Sequence, residues 1–133
     1  MIAVDTNILV RILVRDDERQ AEIARRRIKE AEARRERLKV PLLVVLKTIW
    51  VLESAYDKTR LDILDAIRDM RQMPVFEFED DQVIDGLLGD GPKIKADLAD
   101  IMIAHAALAA GCDTVITFDK GAAKHPIFSL LQC

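Results

Sequence analysis

Short apolar runs alternate along this chain with longer segments of helical periodicity, and this alternation limits the folds that it can adopt. The runs, rich in Ile, Val and Phe, cover residues 2–4, 39–41, 75–78, 113–118 and 127–130. Strands that are separated by helices usually pair in parallel, with the helices packed on both faces of the sheet. The pattern therefore predicts an α/β fold with a short central parallel sheet flanked by helices on both faces.

The segments between these runs have the spacing of amphipathic helices. Helices are predicted over residues 8–13, 17–37, 42–56, 61–73, 80–88 and 96–110. Asn7 is the expected N-cap of the first helix. Four residues are expected to face inward on the second helix: Ala21, Ile23, Ala24 and Ile28. A turn is expected at residues 89–92, where Gly, Asp, Gly and Pro follow one another.

Length and composition limit the class of protein. The chain has 133 residues, half of them apolar, so a single globular domain over residues 1–133 is expected. No apolar run approaches the ~18 residues of a membrane-spanning helix, and the N-terminus lacks the pattern of a signal peptide. We therefore expect a cytoplasmic protein without membrane contact, in which Cys112 and Cys133 are reduced thiols.

The charge is small but unevenly distributed. The formal net charge is -3, whereas a protein that only grips nucleic acid is usually basic. Basic residues concentrate between positions 25 and 39, and acidic residues between 77 and 100. The basic stretch is expected to be a solvated helix face, with intrahelical ion pairs to Glu22, Glu30, Glu32 and Glu36.

Four aspartates stand where the predicted fold can use them. Asp5 and Asp119 each follow a predicted strand, and the carboxyl ends of parallel strands border the ligand-binding crevice of such folds. Asp97 and Asp100 lie three residues apart, so both carboxylates project from about the same face of a helix. Several hard oxygen ligands suit Mg²⁺ or Mn²⁺, and such an ion activates water against a phosphodiester. Capping of the helix N-terminus is the competing interpretation for Asp97.

Four segments of the sequence resemble the signature segments of PIN domains, in particular those of VapC-type toxin ribonucleases. They are MIAVDTN at residues 1–7, VLKTIWVLESAY at 45–56, ADLADIMIA at 96–104 and VITFDK at 115–120. The resemblance implies a metal-dependent endoribonuclease, the toxin of a type II toxin–antitoxin pair. It also implies an RNA substrate, a cognate antitoxin protein and a homodimer.

The resemblance also implies roles for individual residues. Asp5, Asp100 and Asp119 match the acidic positions that bind Mg²⁺ or Mn²⁺ and carry out catalysis, and Asp97 matches a frequent additional catalytic acid. Asn7 and Thr117 match polar supporting positions of the family. Asn7 can hydrogen-bond to Asp5, and Thr117 can orient a ligand or a water.

Lys47 departs from the family pattern, which usually has a Glu three residues before the Trp. A protonated lysine cannot ligate a hard cation. Three outcomes are open. Lys47 pairs with Asp5 or Asp100 and weakens or abolishes the nuclease; the aspartates bind one metal while Lys47 contacts phosphate; or another acid such as Glu53 substitutes, although it lies on a different face of the helix.

Two other functions compete with the active nuclease. One is a catalytically inactive PIN module that binds RNA or an antitoxin. The other is a phosphoaspartate enzyme or receiver domain, for which Asp5 and Lys120 are partial matches and Asn7 a mismatch. Trp50 and Tyr56 are expected to be core or dimer contacts, and His105 a core or edge histidine without a role in the site.

Overall fold

A computed structural model describes residues 1–132, so Cys133 lies outside the described residues. The chain divides into two compact units, Met1–Glu79 and Asp80–Cys133. Cys112 is free and exposed, as expected. Within residues 1–132, no helix combines the length and the apolar character that crossing a membrane requires.

The first unit contains a three-stranded parallel sheet. Its strands are β1 (Ile2–Ala3), β2 (Leu38–Val40) and β3 (Phe76–Phe78), and they lie in the order β1-β2-β3. In the register, Leu38 of β2 is paired with Ile2 on one side and with Phe76 on the other. Leu38 and Val40 are buried while Lys39 is half-buried, so the central strand alternates as a strand with one core face does.

Four helices complete the first unit: α1 (Thr6–Leu13), α2 (Glu18–Ala33), α3 (Leu42–Ser54) and α4 (Arg60–Arg71). Asp17 and Thr59 accept hydrogen bonds from the first turns of α2 and α4, which explains where these helices begin. α1 packs against α2 and α3, and α3 against α4. Their fully buried side chains form an aliphatic core that includes Leu9, Ile49, Leu52, Ile63 and Ile67.

The second unit contains two helices and a pair of strands. They are α5 (Asp81–Asp90), α6 (Leu98–Ala109), β4 (Val115–Thr117) and β5 (Phe128–Leu130), with a short 3-10 turn at Ala122–Lys124. β4 and β5 pair in parallel. α5 packs against α6, and the buried side chains of the two helices include Ile84, Leu87, Leu98 and Ile101.

The predicted fold class is confirmed: short parallel strands alternate with helices along the chain. The N-cap assigned to Asn7 is wrong, because α1 begins at Thr6, two residues earlier than predicted, and Asp5 is its cap. The turn predicted at residues 89–92 is also misplaced. α5 continues through Gly89 to Asp90, whose side chain is held by hydrogen bonds described below.

Not all apolar residues of the helices are buried as predicted. On α2, Ala21, Ala24 and Ile28 face the core, but Ile23 is 56% exposed. Two residues from Ala21 correspond to about 200° of helical rotation, which places Ile23 outside the buried stripe. On α6, Ile103 is likewise exposed.

Two substitutions on α2 test this assignment of its buried face. Ile28→Ala is expected to lower the free energy of unfolding by about 2–5 kcal/mol, because Ile28 is buried and the truncation leaves a cavity. The matched control is Ile23→Ala on the exposed face of α2, which should change the free energy by less than about 0.5 kcal/mol. Urea denaturation followed by circular dichroism measures both. Equal losses would contradict the orientation of α2.

Candidate active site

The first turn of α6 carries two of the predicted site residues. Asp97 occupies the N-cap position, but its side chain accepts no capping hydrogen bond from the helix. The alternative in which Asp97 serves as a side-chain cap is therefore not supported. Asp97 is exposed and Asp100, within the first turn, is half-buried. Both carboxylates lie at the end of the helix where backbone N–H groups favour negative charge.

Asp119 follows β4 and is fixed by hydrogen bonds to neighbouring backbone groups. Its Oδ1 accepts from the N–H of Gly121 at 2.7 Å and, more weakly, from that of Ala122 at 3.4 Å. The N–H of Asp119 donates to the Thr117 hydroxyl at 3.0 Å. Thr117 therefore contacts the backbone of Asp119, and this contact orients the residue after the strand. A Cβ at position 121 would lie only 3.2 Å from the carboxylate oxygen, so glycine leaves room for this turn.

Asp97 and Asp119 act electrostatically on Asp100. Burial raises the pKa of Asp100, and the negative charges of Asp97 and Asp119 raise it further. Each additional carboxylate makes ionisation of its neighbours less favourable. A divalent cation would offset this repulsion, and carboxylate oxygens are the donors that Mg²⁺ and Mn²⁺ prefer. The chemistry of this donor set therefore fits a hard divalent metal ion.

Asp5 lies in the first unit, at the carboxyl end of β1. It is exposed, and its Oδ1 accepts a hydrogen bond from the N–H of Thr6 at 2.7 Å as the cap of α1. Asn7 is also exposed, and within residues 1–132 it does not form the predicted hydrogen bond to Asp5. A supporting role for Asn7 in the site therefore stays a prediction.

Lys47 is an exposed residue of α3, also in the first unit. Within the described part of that unit, it forms no ion pair with Asp5. Pairing with Asp5 or Asp100 is one of the three outcomes left open for Lys47, and it stays a prediction. The Lys47 ammonium is exposed, and no ion pair within the unit fixes it on α3.

A second group of potential ligands was not identified from the sequence. This group consists of Asp90, His105 and His125, found among residues 1–132. One donor atom of each lies within 4.8 Å of the other two. Burial alone would raise the pKa of Asp90, but hydrogen bonds from His125 and His105 outweigh it and hold that pKa below its usual value. His105 was assigned no role and Asp90 was placed in a turn. The helical glycine at position 86, which lies against His105, is the one sequence signal that points to this group.

The family model for the PIN domain matches residues 2–127. The chain belongs to the PIN-domain family. No curated protein matches the sequence. PIN domains are generally metal-dependent nucleases, so the family supports a nuclease and disfavours the receiver-domain alternative.

The basic stretch of this PIN domain is largely paired with acidic side chains. On α2, Arg25 pairs with Glu22 at 2.9 Å, and Arg34 pairs with Glu30 at 2.8 Å. Beyond α2, Arg37 pairs instead with Glu77 of β3 at 3.5 Å. The intrahelical ion pairs predicted for Glu22 and Glu30 are confirmed, and these exposed pairs contribute little to stability.

The electrostatics of the aspartates give a prediction about pH. Asp100→Asn is expected to raise the free energy of unfolding of the metal-free protein at pH 7. Because the pKa of Asp100 is raised in the folded state, folding disfavours its charged form, and the resulting penalty is fully present above the folded pKa. The penalty disappears as the pH falls through the folded pKa towards the unfolded value of ~3.9. The gain from Asp100→Asn should therefore shrink as the pH falls from 7 towards ~4.

Urea denaturation across this pH range measures the effect. Asp113→Asn is the matched control in the same unit, because Asp113 is exposed and is not among the carboxylates that raise the pKa of Asp100. A loss of stability for Asp100→Asn at pH 7, or a gain equal to that of Asp113→Asn, would contradict the repulsion.

Proposed function

We propose that this PIN-domain protein is a Mg²⁺- or Mn²⁺-dependent endoribonuclease and the toxin of a VapC-type toxin–antitoxin pair. The observation that carries the proposal is the negative charge that Asp97 and Asp119 place around the half-buried Asp100, within a chain of this family. Clustered carboxylates repel a phosphate substrate as well as one another. They become useful for RNA chemistry once a cation neutralises them.

Asp5, Asp100 and Asp119 are the residues proposed to hold the metal ion. Each is a carboxylate that follows a strand or begins a helix, and each matches an acidic position of the family signature. For Asp5 and Asp119, a backbone N–H donates to one carboxylate oxygen and orients the side chain. The second oxygen of each is the proposed ligand atom.

The bound cation would lower the pKa of a water molecule and neutralise charge on the phosphodiester. The side chains of the protein would orient that water for attack on the phosphorus and exclude other directions of attack. We assign Asp97 to the water, because its carboxylate is exposed and is not used to cap α6. An oriented water attacks phosphorus in line with the leaving oxygen, and a carboxylate within hydrogen-bonding reach accepts its proton.

Lys47 is the observation that favours a second candidate function. An ammonium group at the usual glutamate position adds positive charge where the family places a metal ligand, and Lys47 is exposed. The alternative is therefore a catalytically inactive PIN module that binds RNA or an antitoxin. In that case the ammonium would contact phosphate and take over part of the neutralisation that the metal supplies.

Restoring the usual acid at position 47 separates the two candidates. Lys47→Glu is expected to strengthen Mn²⁺ binding by about tenfold or more, equivalent to about 1.4 kcal/mol, because a ligand replaces a repelling charge. RNA cleavage should rise in parallel. Isothermal titration calorimetry with Mn²⁺ and cleavage of a mixed RNA substrate measure these effects. Lys29→Glu on α2 is the matched control, with the same change of charge at another exposed position of the first unit.

The outcomes test separately the nuclease activity, the assignment of position 47 to the site and the role as a toxin. Cleavage by the Lys47→Glu variant that disappears when Asp100→Asn is added would support the nuclease. Mn²⁺ binding that is unchanged by Lys47→Glu would contradict the assignment of position 47 to the site. Growth arrest of a bacterial host on expression of the active variant, and recovery with Asp100→Asn, would support the toxin.

The proposed partners are a cognate antitoxin, RNA and a second copy of the chain. The exposed face of α3 supports the homodimer, because Leu43 and Trp50 lie seven residues apart and are 77% and 65% exposed. Two large apolar side chains in one row of a helix are typical of a surface that another protein covers. Tyr56 is half-buried, and its hydroxyl donates to Asp16 at 2.7 Å within the first unit, so its expected role as a core or dimer contact stays a prediction.

Truncation of this row is expected to dissociate the dimer. Leu43→Ala with Trp50→Ala removes the two anchors, and the mass in solution should fall from twice 15.0 kDa to that value. Size-exclusion chromatography with light scattering measures the mass. Ile23→Ala, which truncates an apolar residue on α2 that is 56% exposed, should leave the dimer intact. A monomeric wild-type protein would contradict the proposal.

A further inference from the structure

Asp90, His105 and His125, here called the Asp90 cluster, join three separate segments of the second unit. Asp90 is the last residue of α5, His105 lies on α6, and His125 follows the 3-10 turn. One oxygen of Asp90, Oδ2, lies 2.6 Å from Nε2 of His105 and 2.8 Å from Nε2 of His125. The two imidazole rings meet edge to face, with their centroids 5.6 Å apart.

The hydrogen bonds of His125 determine which form of its ring fits the cluster. The N–H of Ile127 donates to Nδ1 of His125 at 3.3 Å, so Nδ1 carries the lone pair. The ring proton therefore lies on Nε2, from which it is donated to the Asp90 carboxylate. A metal ion on this Nε2 would force the proton onto Nδ1, against the N–H of Ile127. The geometry thus favours a hydrogen-bonded cluster over a transition-metal site, although the three donor atoms are close enough for one.

Gly86 provides the space that the Asp90 cluster needs. A Cβ at this position of α5 would collide with the His105 ring. Glycine inside a helix costs about 1 kcal/mol relative to alanine. On the same helix, a Cβ at Gly89 would meet nothing within 4 Å. Of these two glycines, only Gly86 is needed for the close approach of α5 to His105. A substitution at Gly89 therefore serves as the matched control for one at Gly86.

The segments that the cluster joins are those that carry the aspartates of the candidate site. His105 lies five residues after Asp100 on the same helix, a rise of about 7.5 Å. His125 ends the turn that begins beside Asp119, and it is 5% exposed. Asp90 is thus bonded both to the helix of Asp100 and to the segment that follows Asp119.

We propose that Asp90, His105 and His125 are positioning residues that hold the acid-bearing segments of α6 and of the turn after β4 at a fixed spacing. The consequence for metal binding rests on the proposed function, whereas the consequence for these segments does not. A charge-assisted hydrogen bond to each histidine is stronger than a neutral one, so one carboxylate can fasten both segments. Its loss should free the aspartates to move apart under their own repulsion.

Amide hydrogen exchange of the full chain tests the proposal directly. Asp90→Asn and Gly86→Ala should each accelerate exchange about tenfold or more at the amides of Ile101, Gly121 and Ala122, which report on the two segments. Exchange in the centre of α5, at residues 83–85, should stay within about twofold. Gly89→Ala is the control and should leave all of these amides unchanged. Should Gly86→Ala fail to fold, Asp90→Asn gives the result alone.

Metal titrations separate the proposal from its alternatives. In the Lys47→Glu background, Asp90→Asn should weaken Mn²⁺ binding about tenfold, whereas Gly89→Ala should not. Uniform acceleration of exchange, or none, would overturn the positioning role. Stoichiometric Zn²⁺ binding by the wild-type protein that His125→Asn abolishes would overturn it in favour of a metal site. Local acceleration without any Mn²⁺ binding would support the positioning role and reject the proposed nuclease.

Discussion

The negative charge gathered around Asp100 is the constraint that the second unit of this protein has to accommodate. Asp100 has a raised pKa because it is partly buried and because Asp97 and Asp119 add negative charge around it. A fold tolerates such an arrangement only if other interactions hold the charged segments in place. Here the packing of α5 on α6 and the hydrogen bonds at Asp90 hold them. A divalent cation would convert the same repulsion into binding energy.

The aspartates differ in how the backbone holds them, and this difference bears on what each can do. Asp5 and Asp119 each accept a backbone N–H through Oδ1, which restricts the side chain and leaves the other oxygen outside that bond. Asp97 occupies an N-cap position, but its side chain accepts no capping hydrogen bond from α6. A carboxylate that a backbone bond orients suits the proposed role of metal ligand, which gains from preorganisation, while one without a capping bond suits the proposed role of proton acceptor.

Features that depend on neighbouring residues, such as the end of a strand, could be predicted from the sequence. The strand that ends before Asp119 was predictable, because a β-branched run stops at an acid and a glycine follows. Ile23 was predicted wrongly because its hydrophobicity is that of a core residue, although its position lies outside the buried stripe of α2. Asp90, His105 and His125 could not be predicted as a group. They lie on three segments, and only the pairing of α5 with α6 and the course of the turn after β4 bring them together.

Lys47 shows why family membership alone does not establish activity. A buried lysine among carboxylates would have to pair with them or lose its proton, and either outcome would define the site. An exposed lysine on α3 is under no such constraint, since water solvates its charge wherever the side chain points. The substitution therefore costs the fold little while it changes the charge at the position where the family has an acid.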